Sequence, residues 1–291
     1  MPFEGFNPTI YPTNFQVECP DDLIIPMTDP VAWMQYEDLR WVYNKMEICK
    51  TQDIKCAPYG IYPEKYPVFL KPIHNLKDVS VHSFLIQNEN EYDDHFYPGS
   101  FWMEFLDGDH LSIDLVIAHG KVQWSYGYKG KRAKEDIYSL EQWNGFEVPN
   151  NLIQLVGLWS LIYLKDYTGC VNFEIIHNRI VKCHLRLGHS AYFGDAKFFE
   201  AVVKLYSEKI WEYNEKTKRS FVVSVYEKGG KEYEIDMILV RKLQKKVHSI
   251  FIDDIEDRHP DPEGNIRVAT INSFNLKKAL EVKEELLTYL W

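Results

Sequence analysis

The stretch Phe101–Lys121, FWMEFLDGDHLSIDLVIAHGK, decides how this chain is read. It predicts an acidic-aromatic strand, a tight turn, a second strand and another turn at His119-Gly120. In the second strand apolar Leu111, Ile113, Leu115 and Ile117 alternate with Ser112, Asp114 and Val116. That period of two marks a half-buried strand. Lys121-Val122-Gln123-Trp124-Ser125-Tyr126 returns as the next strand.

Outward from there, the most informative stretch is Cys170–Leu187, CVNFEIIHNRIVKCHLRL. Two alternating runs flank His177-Asn178-Arg179, which reads as a three-residue loop with Asn178 or Arg179 near left-handed geometry. This loop sets Ile176 opposite Ile180, and from that register Ile175 pairs with Val181 and Phe173 with Cys183 on an apolar face. Glu174 then faces Lys182, and Asn172 faces His184, on a polar face that also carries Arg186. A slip by one residue would bury Lys182 and expose Val181, so the pattern selects the register.

The helices are read from caps and periodicity. Residues 1–30 are rich in Pro and read as an extended arm, since proline cannot donate to a ladder. Asp29 is the N-cap candidate, with Pro30 at the first helical position of one or two helices over residues 30–50. Ser83-Phe84-Leu85-Ile86-Gln87 reads as a strand followed by an acidic loop, Asn88–Asp94. Pro149 with Asn150 or Asn151 starts a helix that is apolar nearly all round and therefore buried against a sheet, and Thr168-Gly169 ends it. Asp195–Tyr213 reads as an amphipathic helix with Ile210 inward. Ser220–Tyr226 and Glu232–Leu239 read as strands around Gly229-Gly230, and Ile266–Ile271 as a short strand. Leu276–Trp291 reads as a helix capped by Asn275.

Composition narrows the function classes. Of 291 residues, 45% are hydrophobic and 26% charged, ordinary for one large or two small globular domains. Eight Trp and nineteen Tyr point to a large core, an adhesive surface, or both. The net charge of −10 argues against a nucleic-acid partner, which needs a basic face. The one basic run, Lys129-Gly130-Lys131-Arg132-Ala133-Lys134, reads as a solvated loop, and so does the acidic run Asp253–Asp257. No apolar run reaches the length of a membrane span, and the N-terminus lacks a secretory pattern. Five cysteines without a C-x-x-C pair imply a reducing, cytoplasmic location.

Glu104-Phe105-Leu106, then Gly108, then Ser112-Ile113-Asp114 resembles the E-E-[FY]-[IL]-x-G-x-E-[FY]-S-x-D segment of the ATP-grasp superfamily. Further upstream, Lys45 followed by a strand ending in Lys71-Pro72 resembles the lysine pair of that family. Read singly, Lys45 is a surface helix residue and Lys71 only a strand end. The resemblance spans residues 40–190 and implies an α+β ATP-grasp-like fold with two sheet-containing subdomains and a nucleotide cleft between them. Residues 1–44 would form the arm and helix, and residues 45–291 the ATP-grasp-like domain. The family usually carries a larger α/β domain before the first lysine, which residues 1–44 are too short to supply.

What the resemblance implies about ATP is specific. Lys45 and Lys71 would reach the phosphates, Glu104 the adenosine, and His110 the ribose. Glu174 would hold Mg²⁺, while Lys182 and His184 stand where the family has a second acid and an Asn on the metal. Arg186 matches the family's Arg at the transferring phosphoryl group. Two departures stand out. The loop Pro72–Ser83 contains no glycine, although glycines let backbone N–H groups approach phosphate, and it carries Asp78. Lys182 and His184 put bases where a hard cation needs oxygen ligands. Three functions follow. They are an ATP-dependent carboxylate–amine or carboxylate–thiol ligase, an inactive remnant serving as a structural or interaction module with a protein partner or self-assembly, and a nucleotide-binding regulator without turnover.

Overall fold

The computed structural model describes residues 3–4, 17–77, 82–132, 138–228, 235–253 and 258–289. Its architecture is α+β and holds two principal sheets, of eight and four strands. The large sheet runs, edge to edge, Arg179–His184, Gly169–Ile176, His110–Ala118, Lys121–Arg132, Leu140–Phe146, Phe221–Lys228, Asn265–Ser273 and Ser249–Ile252, antiparallel throughout. The small sheet orders Cys56–Pro58, Ser100–Glu104, Val68–Pro72 and Phe84–Ile86. The two strands of Phe101–Lys121 therefore belong to different sheets. Phe105–Asp109 is the bridge between them, not a hairpin turn.

Strand His110–Ala118 is buried on both faces, where alternation predicts a half-buried one. Ile113, Leu115 and Ile117 pack with Val156 and Trp159 of helix Asn150–Tyr163, and with Tyr43 and Ile48. On the opposite face Val116 and Ala118 meet helix Ala196–Glu208, while Ser112 turns to a cavity and Asp114 to the backbone of Gly188 and Ser190. Buried polar positions cannot be told from exposed ones by periodicity alone. The helix Asn150–Tyr163 differs in the other direction: Leu158, Leu161 and Ile162 are 61%, 47% and 59% exposed. Only one of its sides meets the sheet.

The hairpin keeps the expected pairs Asn172↔His184, Phe173↔Cys183 and Glu174↔Lys182, but its tip differs. His177 and Asn178, both at positive φ, make a two-residue turn, so Ile175 pairs with Ile180 and Ile176 with Arg179. A bulge between Glu174 and Ile175 absorbs the extra residue, Val181. This edge of the sheet is covered. Gln52 donates to Ile180 O at 2.7 Å and accepts from Ile180 N at 2.8 Å.

Several other elements shift. Thr28, not Asp29, is the N-cap of helix Asp29–Gln35. Asn88–Asp94 is not a loop, because Asn88 caps helix Glu89–His95 by accepting from Glu91 N at 3.1 Å. Helix Ala196–Glu208 stops at Lys209, which is left-handed, and leaves Ile210 exposed. The second strand expected over Glu232–Leu239 is instead helix Met237–Gln244 capped by Asp236, and residues 229–234 lie outside the described residues. Lys129–Arg132 belongs to a strand, while 133–134 and 254–257 lie outside the described residues. The C-terminal helix is Leu276–Leu287, with Asn275 accepting from Lys278 N at 3.1 Å. Among the described residues no helix is long and apolar enough to cross a membrane.

Candidate functional site

One face of three adjacent strands carries the polar side chains in rows. Ser112, Glu174 and Lys182 lie side by side, and Asp114, Asn172 and His184 form the next row. Asp114 is buried and holds the following turn. It accepts from Gly188 N at 2.6 Å, Ser190 N at 2.8 Å and Asn172 Nδ2 at 2.9 Å. Burial pushes its carboxyl up, against these donors. The turn they fix carries Gly188 and His189 into a cavity of about 310 Å³.

A second cavity, about 120 Å³, opens where the two sheets meet. Lys71 and Glu104 reach it from the small sheet, Lys45 from helix Lys45–Lys50, and His110, Glu174 and Lys182 from the large one. Phe69, Met103, Phe105, Leu106 and Ile176 give it apolar walls. The two cavities share His110, Tyr138, Leu140, Glu174 and Lys182 as a common wall. His184 and Arg186 line only the larger one. The sequence-derived set is thus split, with six residues on the smaller cavity and Arg186 and His184 beyond the wall.

Lys45 is buried rather than a surface residue, and its ammonium donates to Pro72 O at 3.2 Å. Lys71 is 5% exposed, and its ammonium sits 5.6 Å from the Phe101 ring centroid. Among the described residues no hydrogen bond or ion pair reaches it. Burial, with Lys182 adding to it against the opposing influence of Cys49, pushes its pKa down to about 8. A buried ammonium without a partner, aimed into a cavity, is suited to an anion. Glu104 accepts from Lys55 N at 3.3 Å. In the loop after Lys71, residues 78–81 lie outside the described residues, so Asp78 and Ser80 have no place in this geometry.

The common wall is an ion network. Glu174 takes Lys182 at 2.9 Å on one oxygen and His110 Nε2 at 3.0 Å on the other, with His184 Nε2 at 3.5 Å. Burial alone would raise the Glu174 carboxyl, but Lys182 and the imidazoles hold it well below the usual carboxylate range. Behind it lies Asp29, buried. Its oxygens take Arg186 Nε and Nη2 at 3.0 Å each and His184 Nδ1 at 2.8 Å. Burial again opposes this charge, and Arg186 and His184 outweigh it, keeping the Asp29 carboxyl low. Burial also disfavours a charged His184, yet Asp29 beside it pushes the imidazole up to about 9. His189, by contrast, is pushed down to about 3 by burial and by Arg267 and Arg186. Arg267 in turn is paired with Asp253 at 2.7 Å.

The fold family implies Mg²⁺ at Glu174, and these side chains do not fit it. Both oxygens of the carboxylate are engaged by cationic or imidazole donors, and a hard cation needs several free oxygens. Among the described residues no group of three or more His, Cys, Asp or Glu side chains is arranged to hold a metal. Asp29 is the residue that sequence reading missed. Its position before Pro30 gives it the look of a cap, and its partner Arg186 is 157 residues away. Arg132, Tyr138, His189 and Arg267 were missed too, since nothing local distinguishes them from surface or core residues.

No family profile and no curated protein matches the sequence. Solved structures match the fold. The L-amino acid ligase from Bacillus licheniformis superposes with a TM-score of 0.65 at 13% identity, over 92% of this chain and 79% of that one. Phosphoribosylamine–glycine ligase from Thermotoga maritima gives 0.59 at 14% identity, over 94% and 84%. Carboxyaminoimidazole ribonucleotide synthase from Aspergillus clavatus, complexed with ATP, gives 0.58 at 9% identity, over 87% and 75%. At such identities the likeness is one of fold, and the fold of this chain is ATP-grasp-like.

Proposed function

We propose that this protein binds an adenine nucleotide in the smaller cavity and derives in kind from ATP-dependent carboxylate–amine ligases, with an eroded phosphate loop and metal site. The observation that carries the reading is the meeting of Lys45, Lys71 and Glu104, from separate elements, on one cavity between the sheets. In this reading Lys45 and Lys71 hold phosphates. Glu104 and His110 face the adenosine, and the apolar walls receive its ring. Lys182 stands at the metal position, and His184 and Arg186 shape the adjoining cavity, where an acceptor would lie. Residues 1–44, of which 1–2 and 5–16 lie outside the described residues, are the arm and helix, whose described part brings Asp29 to a domain spanning 45–291. The buried free thiols Cys49, Cys170 and Cys183 support a reducing, cytoplasmic setting.

A second reading, a structural or interaction module without turnover, is favoured by Lys182 on Glu174 and by the exposed Leu158, Leu161 and Ile162. Thermal unfolding with ATP tests the first reading, because a ligand that binds only the native state raises its stability by mass action. A rise in melting temperature at millimolar ATP that Lys71→Ala abolishes supports it; no rise, with or without Mg²⁺, leaves the module reading. Mg²⁺-dependent turnover lost in Glu174→Gln would remove the module reading.

A further inference from the structure

The smaller cavity is cationic inside an acidic protein. Among the described residues four basic side chains line it, Lys45, Lys71, Arg132 and Lys182, against two carboxylates, Glu104 and Glu174. The chain as a whole carries a net charge of −10. Glu174 is already taken by Lys182 and His110, and Glu104 receives the Lys55 N–H. A divalent cation entering here would have to part an ammonium from its carboxylate at 2.9 Å and then settle among the remaining cations. An anion meets the opposite situation. Lys71 and Lys182 repel each other across the cavity, and among the described residues the buried Lys71 ammonium has no ion pair. A multivalent anion offsets both.

We infer that the smaller cavity takes a polyphosphate-type anion free of divalent metal, with the Lys71 and Lys182 ammonium groups supplying the charge that a metal ion would otherwise bring. This rests on reading the cavity as a nucleotide site and names the form in which the nucleotide enters. Lys182 is tied down by Glu174, and Glu174 by His110 and His184, so the ammonium is held in place before any ligand arrives.

Calorimetric titration of the intact protein with ATP, inorganic triphosphate and adenosine, each in EDTA and in excess MgCl₂, tests the inference. ATP and triphosphate are expected to bind in EDTA and to weaken by at least about tenfold when Mg²⁺ complexes them. Lys71→Met and Lys182→Met should each weaken triphosphate binding in EDTA by at least about tenfold, the scale of one charged contact. Near-ultraviolet circular dichroism confirms that each variant is folded. Lys71→Met keeps the test open if Lys182→Met unfolds, because among the described residues Lys71 has no ion pair to lose. Binding of ATP only as its Mg²⁺ complex overturns the inference and leaves the nucleotide cleft standing. So does adenosine binding as tightly as ATP. Failure of all three ligands overturns both.

Discussion

Replacing Lys71 by Met should make the protein more stable, and the gain should fade as pH rises. Burial holds the Lys71 ammonium down to about 8 from an ordinary 10.5. A depression of that size corresponds to roughly 3 kcal/mol of destabilisation at neutral pH. The unfolded chain holds this proton more tightly than the folded one, so between about 8 and 10.5 the unfolded state carries more protons and stability climbs with pH. Below pH 8 the whole penalty remains. A Met side chain meets Phe69, Phe101 and Met103 without strain of charge or size. Losing the cation–ring contact returns about 0.5–1 kcal/mol, which leaves a net gain of ~2 kcal/mol, or roughly 4 °C in melting temperature. Urea unfolding of wild type and variant at pH 7 and pH 10 measures the difference. A variant less stable than wild type at pH 7, or an advantage that does not shrink at pH 10, would refute the reasoning.

Asp29→Ala should cost about 3–5 kcal/mol, because it strands Arg186 and His184 as buried charges, and urea unfolding at pH 7 reads it directly. The same variant should lose part of the acid sensitivity of the wild type. Wild-type stability falls as pH drops below about 4 and the depressed carboxyls of Asp29 and Glu174 take up protons, as a pH series of melting curves would show. Lys182→Glu would set two carboxylates side by side across the hairpin. Weak Mg²⁺ affinity should appear, seen as a melting temperature that rises with MgCl₂ in the variant and stays flat in wild type.

The parts of the site set by one hairpin were legible, and the parts set by chain return were not. Glu174 facing Lys182 and Asn172 facing His184 follow from alternation alone. The bulge at Val181 does not, because a two-residue turn and a three-residue turn differ by one residue that a bulge can absorb. Asn88 and Glu91 carried the signal of a capped helix start, but the acidic composition of the segment spoke for a loop. Met237–Gln244 is a short apolar run of the kind that periodicity does not assign between strand and helix, and the Asp236 cap settles it. Asp29 was beyond local reading altogether: burial and a partner distant in sequence, not its own neighbourhood, define its task.

The small sheet occupies one unbroken stretch of sequence, from Cys56 to Glu104. The chain enters and leaves it at the same place, where Glu104 N donates to Lys55 O at 2.8 Å and Lys55 N donates to Glu104 Oε1 at 3.3 Å. Entry and exit side by side would let the small sheet pivot about that one point, against its packing on Val181 of the large sheet. Lys71 sits on one leaf, the small sheet, and Lys182 on the other, the large sheet, so an anion between them would act as a latch, while without it the two ammonium groups repel each other across the cavity. Fluorescent labels on the two leaves should therefore draw together on addition of triphosphate and relax as salt is raised. A separation indifferent to both would mean that the leaves are locked by packing alone.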